Sequence, residues 1–162
     1  MYKINRVNEE NLSLLIQIFE AQLGKNSGRD NLLRRKIDNR EGIYYILEEE
    51  EISLGYAHWI QDQKRDAWIR MQSIGILPRE EKEIFKVTEQ LMYASEMSFR
   101  MFYEKSFERA QVLGARFQIN ISSNKLKKLY RNLGYHLIDD DPKEIWEKQF
   151  PRREWEKDLV MK

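Results

Sequence analysis

An α+β (mixed α/β) domain, with a central, mostly antiparallel sheet and helices on both faces, is what the sequence predicts for residues 1–162. Three observations lead there. First, the runs Ile43 to Leu47 and Ile52 to Ile60 flank the polar Glu48 to Glu51 and read as a hairpin. Second, Trp68 to Leu77 reads as a further strand, so three strands in succession form a meander that stops at Pro78. Third, the stretch from Arg79 to Leu113 holds neither glycine nor proline and is rich in Glu, Lys, Met, Phe and Leu, which makes it helical.

The remaining elements fall around this frame. Residues 2–7 alternate like a strand, and Asn8 or Asn11 can cap the helix that follows. In 11–23, Leu12, Leu15, Ile16, Ile18, Phe19 and Leu23 recur at helical spacing. Gly24 to Gly28 make a loop, and a short basic helix spans about Asp30 to Ile37. An unbroken helix over 79–113 would be about 50 Å long, more than a domain of this size spans, so a break is expected near Tyr93 to Ser98. Gly114 suits the residue after that helix. Ala115 to Ile121 reads as a strand, Asn124 to Asn132 as a short basic helix ended by Gly134, and Tyr135 to Ile138 as another strand. A last strand is expected over Glu154 to Met161.

Composition narrows the chemistry. The charges nearly cancel, at +1 overall, which argues against nucleic acid as a partner held by bulk charge. There is no cysteine, so disulfides, thiolate catalysis and Cys-ligated zinc are excluded. With only His58 and His136, no metal is expected. The start lacks an apolar leader segment, and no apolar run approaches a membrane span. The expectation is a soluble, cytoplasmic protein of one domain.

Local sequence resembles one family at several points. The opening YKINRVNEENLSLLIQIF resembles the first strand and helix of the GCN5-related N-acetyltransferase (GNAT) superfamily. YYILEEEEISLGYAHW resembles its second and third strands, and SIGILP the end of its fourth. ERAQVLGARFQINISSNKLKKLYRNLGYHL resembles its closing signature, with LYRNLGY the most informative part. The likeness covers nearly the whole chain, though each piece is degenerate. It implies a GNAT-like sheet and an N-acyltransferase that moves an acyl group from acetyl-CoA or another acyl-CoA to an amine on a small molecule or peptide. A non-catalytic module of the same fold, with its CoA site closed, is the alternative.

The chain departs from the family at the glycine-rich loop whose backbone N–H groups take the CoA pyrophosphate. Counted from Pro78, the glycine positions hold Lys82, Ile84 and Lys86; counted back from Ala110 and Gly114, they hold Ser95, Met97 and Phe99. The acyl-homoserine-lactone and N-acyl amino acid synthases share this departure. They take acyl chains from acyl carrier protein, and their fourth strand faintly resembles IRMQSIGILP with its Arg70.

The resemblance assigns roles, each with a plainer alternative. Tyr130 is placed as the acid that protonates the leaving thiolate, or as part of the apolar face of a short helix. The backbone of Ile74, Gly75 and Ile76 would pair with pantetheine like an added strand, while the side chains serve the core. Ser95 falls at the pyrophosphate loop in the second register. Asn124 and Lys127 lie on the short helix, where Lys125, Lys127, Lys128 and Arg131 form a patch for the CoA 3′-phosphate, an acidic carrier protein or simply solvent. His58 is a candidate base towards the amine, or an ordinary strand histidine. Glu96 and Glu104 read as a solvated face. Met71, Met92, Met97 and Met101, with Phe85, Phe99 and Phe102, line an acyl tunnel or fill the core. Apolar residues on more than one side of 79–113 make a homodimer an expectation.

Overall fold

A computed structural model describes residues 1–23, 42–106 and 111–151. The expected helix at 30–37 and strand at 154–161 lie outside the described residues. The elements are β1 (Tyr2–Arg6), α1 (Leu12–Leu23), β2 (Ile43–Glu49), β3 (Ile52–Gln61), β4 (Trp68–Ile76), α2 (Glu81–Ser106), β5 (Gly114–Ile119), α3 (Asn124–Asn132), β6 (His136–Asp139) and β7 (Glu144–Gln149). One seven-stranded sheet runs β1-β2-β3-β4-β5-β7-β6. Every pairing is antiparallel except β4 with β5, which are parallel. The mixed α/β fold with a mostly antiparallel sheet is as the sequence predicts.

The two sheet faces carry separate cores. On one, Leu12, Leu15, Ile18 and Phe19 of α1 pack with Tyr44, Ile46 and Tyr56. On the other, Leu91, Met92, Phe99 and Tyr103 of α2 cover Tyr45, Leu47, Trp59 and Ile69. The same core continues under α3 through Phe117, Leu129, Tyr130 and Trp146. At the start of α1 both candidate caps are used: Asn8 and Asn11 each accept the other's backbone N–H, at 2.7 and 3.2 Å.

Two expectations are corrected, and one strand is present that was not expected. The described part of the long segment has no break: α2 runs through Tyr93 to Ser98 as one helix of 26 residues. Ser95 shows why this region stays helical. It has no exposed surface, donates to the Leu91 carbonyl one turn back at 2.5 Å, and accepts the Trp59 indole N–H at 2.8 Å. Gly114 opens β5 rather than ending a helix. A Cβ there would stand 2.5 Å from the Trp68 ring, so close packing demands glycine. Finally, β7 at Glu144–Gln149 is a strand where charge had hidden the pattern. Trp146 is fully buried beside charged neighbours that point to the other face or pair within the structure.

The β2–β3 turn is tighter than expected, with only Glu50 and Glu51 between the strands. Both have positive φ, 51° and 69°, as a two-residue hairpin with matching twist requires. Glutamate is costly there, by roughly 1–2 kcal/mol per residue. The double substitution Glu50→Asn/Glu51→Gly should therefore raise the melting temperature by several degrees, at about 2–4 °C per kcal/mol for a chain of this size. Ser95→Ala should lower it, because the buried indole N–H loses its acceptor at a cost of roughly 1–3 kcal/mol. Thermal melts of both variants followed by circular dichroism check each sign.

Candidate functional site

The parallel pairing of β4 with β5 is short. It runs from Trp68 opposite Gly114 to Met71 opposite Phe117 and then stops. Beyond it the strands separate. On the β3 side, β4 bulges at the same point: His58 pairs with Ser73 but Trp59 with Met71, which leaves Gln72 extra. A bulge bends its strand and raises the local twist. Residues 73–76 of β4 thus pair with β3, and among the described residues no strand pairs with 72–75 on their β5 side.

The gap between the strands is a cavity of about 240 Å³ lined by Met71 to Ile74, Phe117 to Asn120, and Lys143. Its walls are apolar at Met71, Ile74, Phe117 and Ile119, and polar at Gln72, Ser73, Gln118 and Asn120. One cation and no carboxylate face it among the described residues. At the far end of β4, Gly55 of β3 lies against the Gly75 carbonyl, 2.5 Å from where a Cβ would sit. No side chain fits there, so the end of β4 stays close against β3.

Two helices begin beyond the ends of the separated strands. The N-terminus of α3 is capped by Ser123, whose side chain accepts the Leu126 N–H at 3.3 Å. The N-terminus of α2 carries Glu81 and Glu83 in its first turn. Lys125 of α3 lies 3.5 Å from Glu81, and Arg79 lies 3.5 Å from Glu83. The acidic side chains already satisfy the positive end of the α2 dipole.

Beneath α3, Glu144 is wholly buried. Its carboxylate accepts the Trp146 indole N–H at 3.2 Å and stands 3.4 Å from Lys127 Nζ. Burial works to raise its pKa, but hydrogen bonds from Ser122, Trp146 and Lys127 outweigh it and the net shift is downward. Tyr130 is also buried, edge-on to Phe117 and Trp146 at 4.9 and 5.1 Å. Burial pushes its phenol above the ordinary value of 10; a Ser122 hydrogen bond opposes the shift and the Glu144 charge adds to it.

The site residues read from sequence fall into two groups. Ile74 lines the cavity, and Gly75 and Ile76 follow it along β4, paired with β3. His58 adjoins it, cross-strand from Ser73. His58 is buried and stacks flat on Tyr44, ring centroids 3.9 Å apart. Asn124 is exposed at the start of α3. Away from the cavity, Lys127 is tied to Glu144, Tyr130 packs behind Phe117 with its hydroxyl towards Ser122, and Ser95 belongs to the core beneath α2. The expectation that Ser95 marks a phosphate loop gives way to its place in mid-helix. Glu96 and Glu104 are not a solvated face. Glu96 is buried, accepts the Tyr135 hydroxyl at 2.5 Å and meets Lys148 Nζ at 2.7 Å, while Glu104 accepts the Val112 N–H at 2.9 Å. Of the tunnel set, Met92 and Phe99 are core, Met97 and Met101 face outward, and Met71 reaches the cavity.

Sequence reasoning missed the Gln72 bulge, Lys143 and Glu144. No residue type announces a bulge, and Lys143 and Glu144 come to the site through β7, which the charge pattern concealed.

No family model matches the sequence, and no curated protein matches it. Solved structures match it over nearly its whole length. A PaiA N-acetyltransferase from Thermoplasma acidophilum, in complex with coenzyme A, is 14% identical, with 93% of this chain and 99% of that one covered and a TM-score of 0.60. A spermidine N-acetyltransferase chimera from Vibrio cholerae and hSSAT is 11% identical, with 91% and 95% covered and a TM-score of 0.65. A GNAT-family acetyltransferase from Staphylococcus aureus is 11% identical, with 93% and 100% covered and a TM-score of 0.64. The chain has the GNAT fold. In GNAT terms, the cleft is the parting of the fourth and fifth strands. The acyl-homoserine-lactone branch has no representative among these neighbours.

The lowered pKa of Glu144 sets a pH dependence. Its ionised form is favoured in the folded chain, so the stability it contributes is present above the ordinary glutamate range and is lost as pH falls through the lowered value. The burial of Tyr130 and Tyr135 acts at the other end, since both phenols sit above 10. Their contribution is present below pH 10 and is lost at higher pH. Glu144→Gln should melt below the wild type at pH 7, with the gap shrinking steadily on acidification below pH 4.5. A gap that is constant from pH 7 to pH 3 would show that the Glu144 charge carries no stability.

Proposed function

We propose that this chain is an N-acyltransferase that moves an acyl group from a thioester donor, acyl-CoA or acyl carrier protein, to an amine. The observation that carries this reading is the cleft between β4 and β5, beside a bulged strand whose residues 72–75 pair with no strand on the β5 side among the described residues. An extended pantetheine arm can add to that edge as a strand would. α2 packs against β1 to β4, and none of its residues lines the cleft.

The reaction needs little from the protein beyond placement and charge stabilisation. A neutral amine attacks the thioester carbonyl, the C–N bond forms, and the C–S bond breaks to release a thiolate. Backbone N–H groups at the bulge, around Gln72 and Ser73, suit the oxyanion. His58, next to Ser73, is the candidate to take the amine proton. Tyr130 is the residue that the family resemblance offers to protonate the thiolate, but it packs behind Phe117 outside the cavity lining, and burial makes it a weaker acid than a free phenol. The cavity's single cation, Lys143, and its lack of carboxylates favour an acceptor carrying negative charge over a polycation.

A second reading is a non-catalytic binding module of the same fold. The acidic first turn of α2, without glycine, favours it, because a diphosphate there meets Glu81 and Glu83. The deciding experiment is thermal melting with acetyl-CoA, a long-chain acyl-CoA, free CoA and an acylated carrier protein. A ligand at about 100 times its Kd adds about 2.7 kcal/mol, several degrees at this size. A shift with any thioester, followed by acylation of an amine panel, supports the transferase; silence with all four supports the module. Tyr130→Phe should then cut turnover by roughly 10²–10⁴-fold if Tyr130 is the acid, and unchanged turnover removes it from that role.

A further inference from the structure

The face of the sheet turned away from α2 carries a row of charge across β4, β5 and β7. Ile69 and Met71 of β4 are buried in the core beneath α2, so half-buried Arg70 between them points to the opposite face, that of α1. Its cross-strand neighbours are Ile60 of β3 and Arg116 of β5, and Arg116 in turn stands opposite Glu147 of β7. Arg116 is engaged: its Nη1 lies 3.7 Å from the buried Asp62 carboxylate. Glu147 is engaged too, accepting from Arg65 Nη1 at 3.0 Å. Arg70 has no carboxylate partner among the described residues. Its Nη2 donates to Gln72 Oε1 at 2.6 Å, and its Nε is buried with no hydrogen-bond partner. Like charges set opposite one another on one face, as at Arg70 and Arg116, are destabilising. An anion at Arg70 would relieve that repulsion.

We propose that Arg70 holds a carboxylate of the acceptor, so that the amine this chain acylates belongs to an amino acid. The proposal rests on the acyltransferase reading and names its acceptor class. Gln72 is the link to the cleft. It is the extra residue of the bulge, it lines the cavity, and it accepts from the Arg70 guanidinium. Arg70 and Gln72 are two residues apart, about 7 Å of extended chain. An amine at the bulge and a carboxylate on the guanidinium therefore fit within one small molecule. The planar fork of Arg offers parallel N–H donors to a carboxylate, and among the described residues only Gln72 takes any of them. The balance of charge agrees. Arg65, Arg70 and Arg116 face Asp62 and Glu147, and the two acids are matched by Arg65 and Arg116. Arg70 is the cation left for a carboxylate. Lys143 attracts the same sign of charge from the β7 side of the cavity. The bond changes remain those of the transfer: nitrogen attacks the thioester carbon, the C–N bond forms, the C–S bond breaks and the nitrogen loses a proton. The carboxylate stays ionised throughout and serves as the handle that aims the amine.

The test compares glycine, β-alanine and 4-aminobutanoate with their amides, which keep the amine and lose the negative charge. With an active thioester donor, the acid of at least one pair should have the higher kcat/KM. Arg70→Gln should lower the acid-to-amide ratio of kcat/KM by roughly ten- to a hundredfold, the worth of a hydrogen bond to a charged group, mainly through the KM of the acid. Comparing that ratio with the wild type cancels the different basicities of the amines. Arg70→Lys keeps the charge without the fork and should recover part of the loss. Circular dichroism shows that both variants are folded. Calorimetric titration of the same compounds gives a readout without turnover: an acid that binds the wild type should bind Arg70→Gln at least about tenfold more weakly. If that holds while no amine is acylated, the carboxylate site at Arg70 stands and the acyltransferase reading fails. If acids and amides are acylated alike, or Arg70→Gln leaves the ratio unchanged, the proposal fails and the acyltransferase reading stands. Acids that neither bind nor react overturn the proposal.

Discussion

The early end of the parallel pairing between β4 and β5 is the constraint on which the site depends. At one end the two strands are held tightly: the Trp68 ring lies where a side chain at 114 would be, and only glycine permits it. At Met71 and Phe117 the pairing stops, and the extra residue at Gln72 turns β4 away. A sheet that continued to pair would close the cleft and satisfy its own backbone. Because it does not, residues 72–75 keep an edge inside the domain that no described strand covers, where edges are normally paired or covered.

Holding two strands apart needs supports on both flanks. On the β4 side, α2 is fixed by Ser95 between the Trp59 indole and the Leu91 carbonyl, and by Glu96 between Tyr135 and Lys148. The second set matters because Tyr135 and Lys148 belong to the β6–β7 end of the sheet. It ties the middle of α2 to the β6–β7 end of the sheet, level with the stretch where β4 and β5 are still paired. On the β5 side, buried Glu144 joins β7 to α3 through Lys127. Glu96 and Glu144 are buried charges with partners, and removing one partner of such a pair costs far more than the pair contributes.

Much of the fold was legible in the sequence because its signals are local. The hairpin stands on alternation around four glutamates, α1 on apolar spacing, and α3 on a capped basic run ending at Gly134. What was not legible depends on contacts between distant residues. Ser95 looked like a loop residue because nothing nearby in sequence reveals Trp59, 36 positions away, as its partner. Glu96 and Glu104 looked solvated because a lone carboxylate usually is; their partners lie on other elements. Gly114 was recognised as special, but for the wrong reason, since a helix end and a tryptophan packed on the backbone ask for the same residue. The site divides similarly. Ile74, Gly75 and Ile76 could be placed from their strand, whereas the bulge and Lys143 depend on strand register and on β7.

The charges around the two helix starts bear on which donor the cleft suits. A helix N-terminus attracts anions, yet the first turn of α2 already has Glu81 and Glu83, each with a cation beside it. Two unit charges about 6 Å apart repel by roughly 0.7 kcal/mol in bulk water and by about four times that at an effective dielectric of 20. A diphosphate against two carboxylates would meet that penalty more than once. At α3, by contrast, the first turn bears Lys125 and no acid. A donor arm with a single phosphate diester, as on a carrier protein, could keep its one charge near α3 and send only neutral pantetheine along β4. A CoA donor must place two adjoining phosphates in the same narrow region. Within the proposed acyltransferase reading, this charge pattern supports a carrier-linked thioester over a CoA one, and the same acidic turn supports the non-catalytic module.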